Sequence, residues 1–301
     1  MGRKIEFFID NDNGNVKIKD YLKRRGVSHR MLCVLKRTEN GILKNGVGAR
    51  SIDILNSGDT LTLNLPSDEG TASAEPADIP LDIIYEDDDI LVINKKPDIA
   101  MHESHNHRCD ALSNAVAFHL MKEGKECVFR SVGRLDKGTS GIVVCALNKF
   151  SAAKLSGKIY KEYLAVAGGE FYGDGIIDKP IIRPDPMKTL RDVGVGGERA
   201  VTHWKSLKVK DGCTLLRIHL ETGRTHQIRA HMASIGHPLV GDTKYGKGKK
   251  APDSIKYQAL YSYKLKFNFE TDAGILDYLN GKEFKVNDVW FAKSGKINLD
   301  R

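Results

Sequence analysis

At 301 residues the chain can bury a sizeable core, and its length suits one large domain beside a small one. With 41% hydrophobic and 29% charged residues it reads as globular, and no run approaches the roughly 18 apolar residues that span a bilayer, which excludes a helical membrane protein. Lys and Arg number 47 against 39 Asp and Glu, a net charge of +8, and such a surplus raises the local concentration of polyanionic partners.

The N-terminal stretch turns acidic at Asp10 and Asp12 before any long apolar segment, so no secretory leader is expected. Cys33, Cys109, Cys127, Cys145 and Cys213 form an odd, scattered set without a CxxC pair. They fit neither a disulfide framework nor a zinc module, and the expected location is the reducing cytoplasm. Ile18, Tyr21 and Leu22 fall at helical spacing, with Gly26 to stop that helix. Ser28 caps a second helix carrying Met31, Leu32 and Leu35 on one side, and Gly41 ends it. Asn45-Gly46 reads as a turn, and Leu61, Leu63 and Leu65 alternate as a strand does. Between positions 17 and 50, ten Lys and Arg are set against two acids, Asp20 and Glu39. That density suits contact with phosphates and release of their counterions; a merely solvated face is the alternative. Two short basic helices, then a turn and strands ending in SGDTLTLNLP, resemble the S4 RNA-binding domain over positions 17–66. The resemblance implies that the helices face RNA, with Arg24, Arg25, Arg30 and Lys36 contacting phosphates.

Residues 67–80 (SDEGTASAEPADIP) lack aromatics and read as a flexible linker between units at 1–66 and 81–301. Beyond it, apolar runs of strand length occur at 83–85, 90–94, 142–147, 163–167 and 215–220, with helical candidates at 111–122 and 150–158. Strands outnumber helices without regular alternation, which favours an α+β fold over a doubly wound one.

Three segments stand apart from scaffold. Residues 132–141 (VGRLDKGTSG) place Asp136 on a polar loop feeding a buried strand, where a carboxylate needs a partner to stay ionised. Residues 220–246 (LETGRTHQIRAHMASIGHPLVGDTKYG) crowd Arg224, His226, Gln227, Arg229 and His231 together. Arg229, in preference to Arg224, supplies the charge that would hold Asp136 ionised. Residues 161–168 (KEYLAVAG) open a strand with Tyr163, an aromatic able to stack on a base drawn out of its helix.

Together GRLDKGTSG, KEYLAVAGG and TGRTHQIRAHMASIGHPLVGDTKYG resemble the RluA-type pseudouridine synthases, in that family's order, from about position 81 to 263. The resemblance implies a twisted, largely antiparallel sheet with flanking helices and a central cleft. It makes Asp136 the catalytic aspartate, Arg134 the arginine that assists nucleotide extrusion, Tyr163 the ring against the target uracil and Arg229 the partner of the aspartate. Lys161 and Arg224 become candidates for contacting RNA. One departure is Gly133, where many members carry His; a chemical role for that His is in doubt here. Isomerising uridine breaks the N1–C1′ bond, turns the uracil and joins C5 to C1′. Atoms and oxidation state are conserved, so neither metal nor nucleotide cofactor is required. A carboxylate near C1′, acting as nucleophile or base, and a pocket that retains the freed base are required. The implied partner is structured RNA, ribosomal favoured over transfer RNA, bound by a monomer with no membrane association.

Blander readings compete at each position. An isolated RLD triplet is most often a structural ion pair, and only its company makes Asp136 catalytic. His102, His105, His107 and Cys109 offer zinc-type ligands, but at crowded spacing with no second ligand group, so a loop lining an RNA cleft is preferred to a metal site. His226, His231 and His237 read as satisfied structural residues. Residues 241–248 (GDTKYGKG) lack GxxxxGK[ST], and Lys244, Lys247, Lys249 and Lys250 read as a solvated basic loop. Trp290 and Phe291 read as packing residues. The competing functions are an RNA-binding or ribosome-assembly protein without catalysis and, less favoured, a DNA-binding regulator.

Overall fold

Alternating apolar strands build a ten-stranded sheet in the computed structural model, which describes residues 3–66, 74–104, 108–125, 128–246, 255–270 and 273–291. Its strand order is Asp174–Asp178, Val201–Lys210, Cys213–Leu220, Ile159–Gly168, Leu260–Phe267, Ser140–Ala146, Ile90–Lys95 and Ile83–Glu86. Arg130–Val132 pairs with Ser140–Ala146, and Glu283–Lys285 with Leu260–Phe267. All these neighbours are antiparallel except at the centre, where Ser140 and Gly141 lie parallel to Tyr261 and Ser262. Gly141 is required there. Its φ is +110°, and a Cβ would stand 2.3 Å from the Ser262 carbonyl oxygen.

The period-two pattern sorts the strands between two cores. Leu91, Ile93, Val143 and Cys145 pack with Leu112, Val116 and Leu120 of the helix Leu112–Lys122, in a cluster that also holds Tyr163 and Ile218. Their neighbours Ile90, Val92, Ile142 and Val144 pack instead with Phe150 and Leu155 of the helix Lys149–Leu155. This second cluster continues through Ile5, Ile9, Ile18, Tyr21, Leu22, Leu35 and Leu61 of the N-terminal unit, so the two units share buried apolar surface.

That unit is a four-stranded sheet, Lys4–Phe8, Thr60–Asn64, Ile42–Lys44 and Val47–Gly48, with the helices Ile18–Arg24 and His29–Arg37. Both helices lie where the apolar spacing puts them, and the Ser28 hydroxyl accepts the Met31 N–H at 3.2 Å. Asn45 and Gly46 turn the chain with φ of 52° and 79°. Arg3 reaches the other unit, bonding Asp88 at 3.0 Å and Asp89 at 3.1 Å.

Some expectations need correction. The segment 67–80 is not uniformly a flexible linker. Residues 67–73 lie outside the described residues, but the Glu75 carbonyl accepts from Asn114 Nδ2 at 2.7 Å and the Ala77 N–H donates to the Asn114 carbonyl at 3.2 Å. Tyr163 sits in the middle of a strand that opens at Ile159, because Tyr160 and Glu162 alternate to solvent and interrupt the apolar run. Val201–Lys210 and Leu260–Phe267 are strands that carry too many Lys, Ser and His to read as apolar runs. Among the described residues no helix is long and apolar enough to cross a membrane.

Candidate active site

Asp136 lies on the loop between Arg130–Val132 and Ser140–Ala146, closed by a turn in which the Thr139 N–H donates to the Asp136 carbonyl at 3.0 Å. The motif residues 220–246 fold back onto that loop. Gln227 anchors the start of the helix Gln227–Ser234: its amide donates to the Val201 carbonyl at 2.9 Å and its oxygen accepts the Arg224 N–H at 2.9 Å. One turn of helix aims Arg229 inward. Its Nη1 donates to Asp136 Oδ2 at 2.8 Å, while Nε and Nη2 donate in a fork to Asp242 at 2.7 and 2.8 Å. Burial opposes the guanidinium charge, but the carboxylates of Asp242 and Asp136 outweigh it and hold Arg229 above its ordinary pKa. The Asp242 carboxylate also accepts backbone N–H groups from Lys244 and Tyr245, so it is fixed on both sides.

His226 precedes that helix in a left-handed conformation, φ 57°. Its Nδ1 lies 3.0 Å from the Tyr245 hydroxyl, and its Nε2 lies 3.8 Å from Asp136. Burial lowers its pKa to about 4, so the ring is neutral at neutral pH. The Tyr245 hydroxyl also accepts the Arg191 N–H at 2.9 Å, which ties the His226–Tyr245 pair to the chain at Arg191. His226 has its own partner in Tyr245 and also lines the cleft beside Asp136. His231 and His237 do have outside partners: His231 contacts Thr202 and the Lys179 carbonyl, and His237 contacts the Gly168 carbonyl.

These groups surround a cleft of about 640 Å³ lined by Gly133, Arg134, Asp136, Lys161, Tyr163, Arg224 and His226 among others. Tyr163 is 6% exposed, and desolvation with the nearby Asp136 charge raises its phenol well above the ordinary value. Arg134 stands exposed at the mouth. Lys161 reaches toward Gly133. A Cβ at that position, where φ is +82°, would meet its Nζ at 3.0 Å, and desolvation lowers the ammonium pKa to about 8. Arg224, on the cleft wall, is bonded to Glu198 at 2.5 Å and to the Arg199 carbonyl at 3.1 Å; Arg229 is the partner of the aspartate.

Lys95, Asp242 and Tyr245 complete the site without having been singled out in the sequence. Lys95 is 1% exposed and donates to the carbonyls of Lys96, Ile99 and Lys137, stitching the strand Ile90–Lys95 to the Asp136 loop. Burial brings its pKa down to about 7, against the opposing charges of Asp136 and Asp98. Asp242 and Tyr245 stand within the third motif, and a buried Arg with two carboxylate partners was the signal available there.

Of the N-terminal candidates, Arg24, Arg30 and Lys36 are exposed. Arg25 is half-buried, its Nε on the Tyr21 hydroxyl at 3.3 Å and its guanidinium over the Tyr21 ring, so it serves packing. In the histidine-rich loop, His102 contacts Ser131 and Cys109 donates to Glu75, while His105 and His107 lie outside the described residues, as do Cys127, Lys247, Lys249 and Lys250. Lys244 donates to Thr189, and Trp290 donates to Ser140 beside the buried Phe291. Elsewhere Glu86, His119 and Glu123 converge, but the Lys125 ammonium already bridges the two carboxylates at 3.1 and 2.6 Å.

A family model described as RNA pseudouridylate synthase matches residues 89–234. Over 258 residues the chain is 37% identical to a Bacillus subtilis (strain 168) protein named uncharacterized RNA pseudouridine synthase YjbO, covering 83% of this chain and 89% of that one. Over 220 residues it is 38% identical to ribosomal large subunit pseudouridine synthase D of Vibrio cholerae, covering 68% of each. Among solved structures, human RNA pseudouridylate synthase domain containing 1 superposes with a TM-score of 0.57 at 26% identity, covering 72% of this chain and 87% of that one.

Proposed function

This chain belongs to the RNA pseudouridine synthase family, enzymes that isomerise uridine in RNA, and on that premise we propose that Asp136 is the carboxylate that carries the reaction. The observation that carries this reading is the 2.8 Å contact between Asp136 and Arg229 on the wall of a cleft roomy enough for a nucleoside. Arg229 fixes one oxygen of the carboxylate, leaving the other to face the nucleotide as nucleophile or base. Asp242 holds the guanidinium in place from behind.

A base must leave its stack to enter the cleft. Arg134, exposed at the mouth, takes the vacated place, and Tyr163 stacks on the extruded uracil and keeps it from escaping once the N1–C1′ bond is broken. After rotation C5 joins C1′, C5 gives up its proton and N1 gains one, so the product has the composition of the substrate and no cofactor is consumed. Lys161 and Arg224 attract the flanking phosphates.

Residues 1–66 act as an S4-like RNA-binding module, with Arg24, Arg30 and Lys36 toward phosphates; 67–80 connect it to the catalytic unit, 81–301. Ribosomal RNA is the favoured target, supported by the name of the Vibrio relative, and the enzyme works as a cytoplasmic monomer. The test is to incubate the parent chain and Asp136→Ala with RNA from a strain lacking the gene, then to map pseudouridine chemically. New pseudouridine with the parent alone is the expected result. Equal product from both removes Asp136 from the mechanism, and none from either favours an RNA-binding protein without catalysis.

A further inference from the structure

The side of the sheet that turns away from the cleft carries a row of rings that catalysis does not use. Directly paired residues of antiparallel strands share a face, and the register aligns Ile176 with His203, His203 with His219, and His219 with Glu162. Tyr160, two residues from Glu162, stacks on His219 with ring centroids 4.2 Å apart and planes at 25°, and His203 follows at 5.8 Å and 29°. The row crosses strands and ends in exposed apolar surface at both sides, Tyr160 at 37% and Ile176 at 63%.

The same face is cationic. Lys205 and Arg217 pair beside the histidines, and Lys264, Lys266 and Lys285 continue the surface beyond Tyr160. Its acids are Asp174, Asp178, Glu162 and Glu283, with Glu221 at the His203 end paired to Arg199 at 3.1 Å. Glu162 accepts from the hydroxyls of Tyr160 and Tyr263, and Glu283 is paired with Lys264 at 2.9 Å. At its ends the row comes close to residues of the cleft rim. Ile159 and Lys161 line the cleft on either side of Tyr160, and His203 bonds Glu221, another lining residue, at 2.8 Å.

We propose that Tyr160, His219 and His203 form a stacking platform for single-stranded RNA that flanks the target nucleotide, with Arg217 and Lys205 holding its phosphates. His219 is stacked between the other two rings, so the outer faces of Tyr160 and His203 are the ones that accept a base by its π face, as in strand-tolerant RNA contacts. This rests on the chain acting on RNA. A segment leaving the cleft mouth past Glu221 would meet the row directly.

The probe is a short oligouridylate, unlabelled for affinity and carrying 5-iodouridine for photo-crosslinking, used with the full chain. Crosslinks are expected at Tyr160, Tyr160→Ala should bind about fivefold more weakly or worse, and Tyr160→Phe should bind like the parent because it keeps the ring. Parental affinity for Tyr160→Ala overturns the platform. So does a Tyr160→Phe variant as weak as the alanine, since the contact with Glu162 would then explain the loss, and so do crosslinks confined to the cleft. Pseudouridine formation by the parent chain is scored separately, so a failed platform is told apart from a failed reading of the cleft.

Discussion

Arg24, Arg30 and Lys36 on the N-terminal helices stand in solvent, whereas Arg229 and Lys95 at the cleft are 4% and 1% exposed. Both regions are rich in positive charge, and the difference lies in the medium around it. Charges in water are screened beyond about 8 Å at physiological salt and act as a summed field that tolerates the loss of any one member. The buried cations each have designated partners: two carboxylates for Arg229, three carbonyls for Lys95. Removal of one leaves the others uncompensated. On this account the exposed cations set affinity and the buried ones set chemistry and stability.

Several substitutions can break or sharpen that contrast. The largest effect is expected at Asp136. Asn in its place should lower the rate of pseudouridine formation at least about a thousandfold while RNA binding stays within a few fold, measured by single-turnover assay and filter binding. Arg229→Ala should come next, lowering activity about a hundredfold and destabilising the fold by about 3–5 kcal/mol in urea, because the buried Asp242 keeps its backbone N–H partners but loses its guanidinium. A variant that melts like the parent would show that water reaches this ion pair, and the contrast would weaken. Replacing both Arg30 and Lys36 by Glu should leave the fold intact, weaken RNA affinity, and lower the slope of log affinity against log salt by about two. An unchanged slope would remove the N-terminal helices from the phosphate contact.

The smallest effect concerns pH. Lys161 titrates near 8, below its ordinary 10.5, because folding desolvates the ammonium. Between those values the unfolded chain binds the proton and the folded chain does not, so this residue's unfavourable contribution is full below about 8 and is relieved as pH rises toward 10.5. Its attraction for phosphate moves the other way, so KM for RNA should rise a few fold as pH passes through about 8. Lys161→Arg, which stays charged, should flatten that rise. A parallel rise in both proteins assigns it to another group.

Much of the site was legible before any fold was known. Asp136, Arg229 and Tyr163 stood in segments where polar side chains flank apolar strands, and the structure brings all three to one cleft. Arg25 was less legible, since a basic residue on an exposed-looking helix is indistinguishable from its neighbours until Tyr21 is seen beneath it. The place of His226 on the cleft wall was hidden for a similar reason: its sequence neighbours His231 and His237 contact remote backbone carbonyls, and nothing local separates the three. Asp242 lies 13 residues from Arg229, so their pairing depends on how the glycine-rich turn returns to the helix.

Local pattern determined the elements. Apolar spacing placed the helices Ile18–Arg24 and His29–Arg37, the Ser28 cap and the apolar strands such as Ile90–Lys95 and Ser140–Ala146, because those signals act within a few residues. Tertiary structure alone decided which face of Ile159–Gly168 meets the cleft and which carries Tyr160, that the N-terminal unit shares a buried cluster with the catalytic one, and that Lys95 reaches the Lys137 carbonyl on the Asp136 loop. Those outcomes depend on long-range burial and on partners for enclosed charges, and neither is encoded at any single position along the chain.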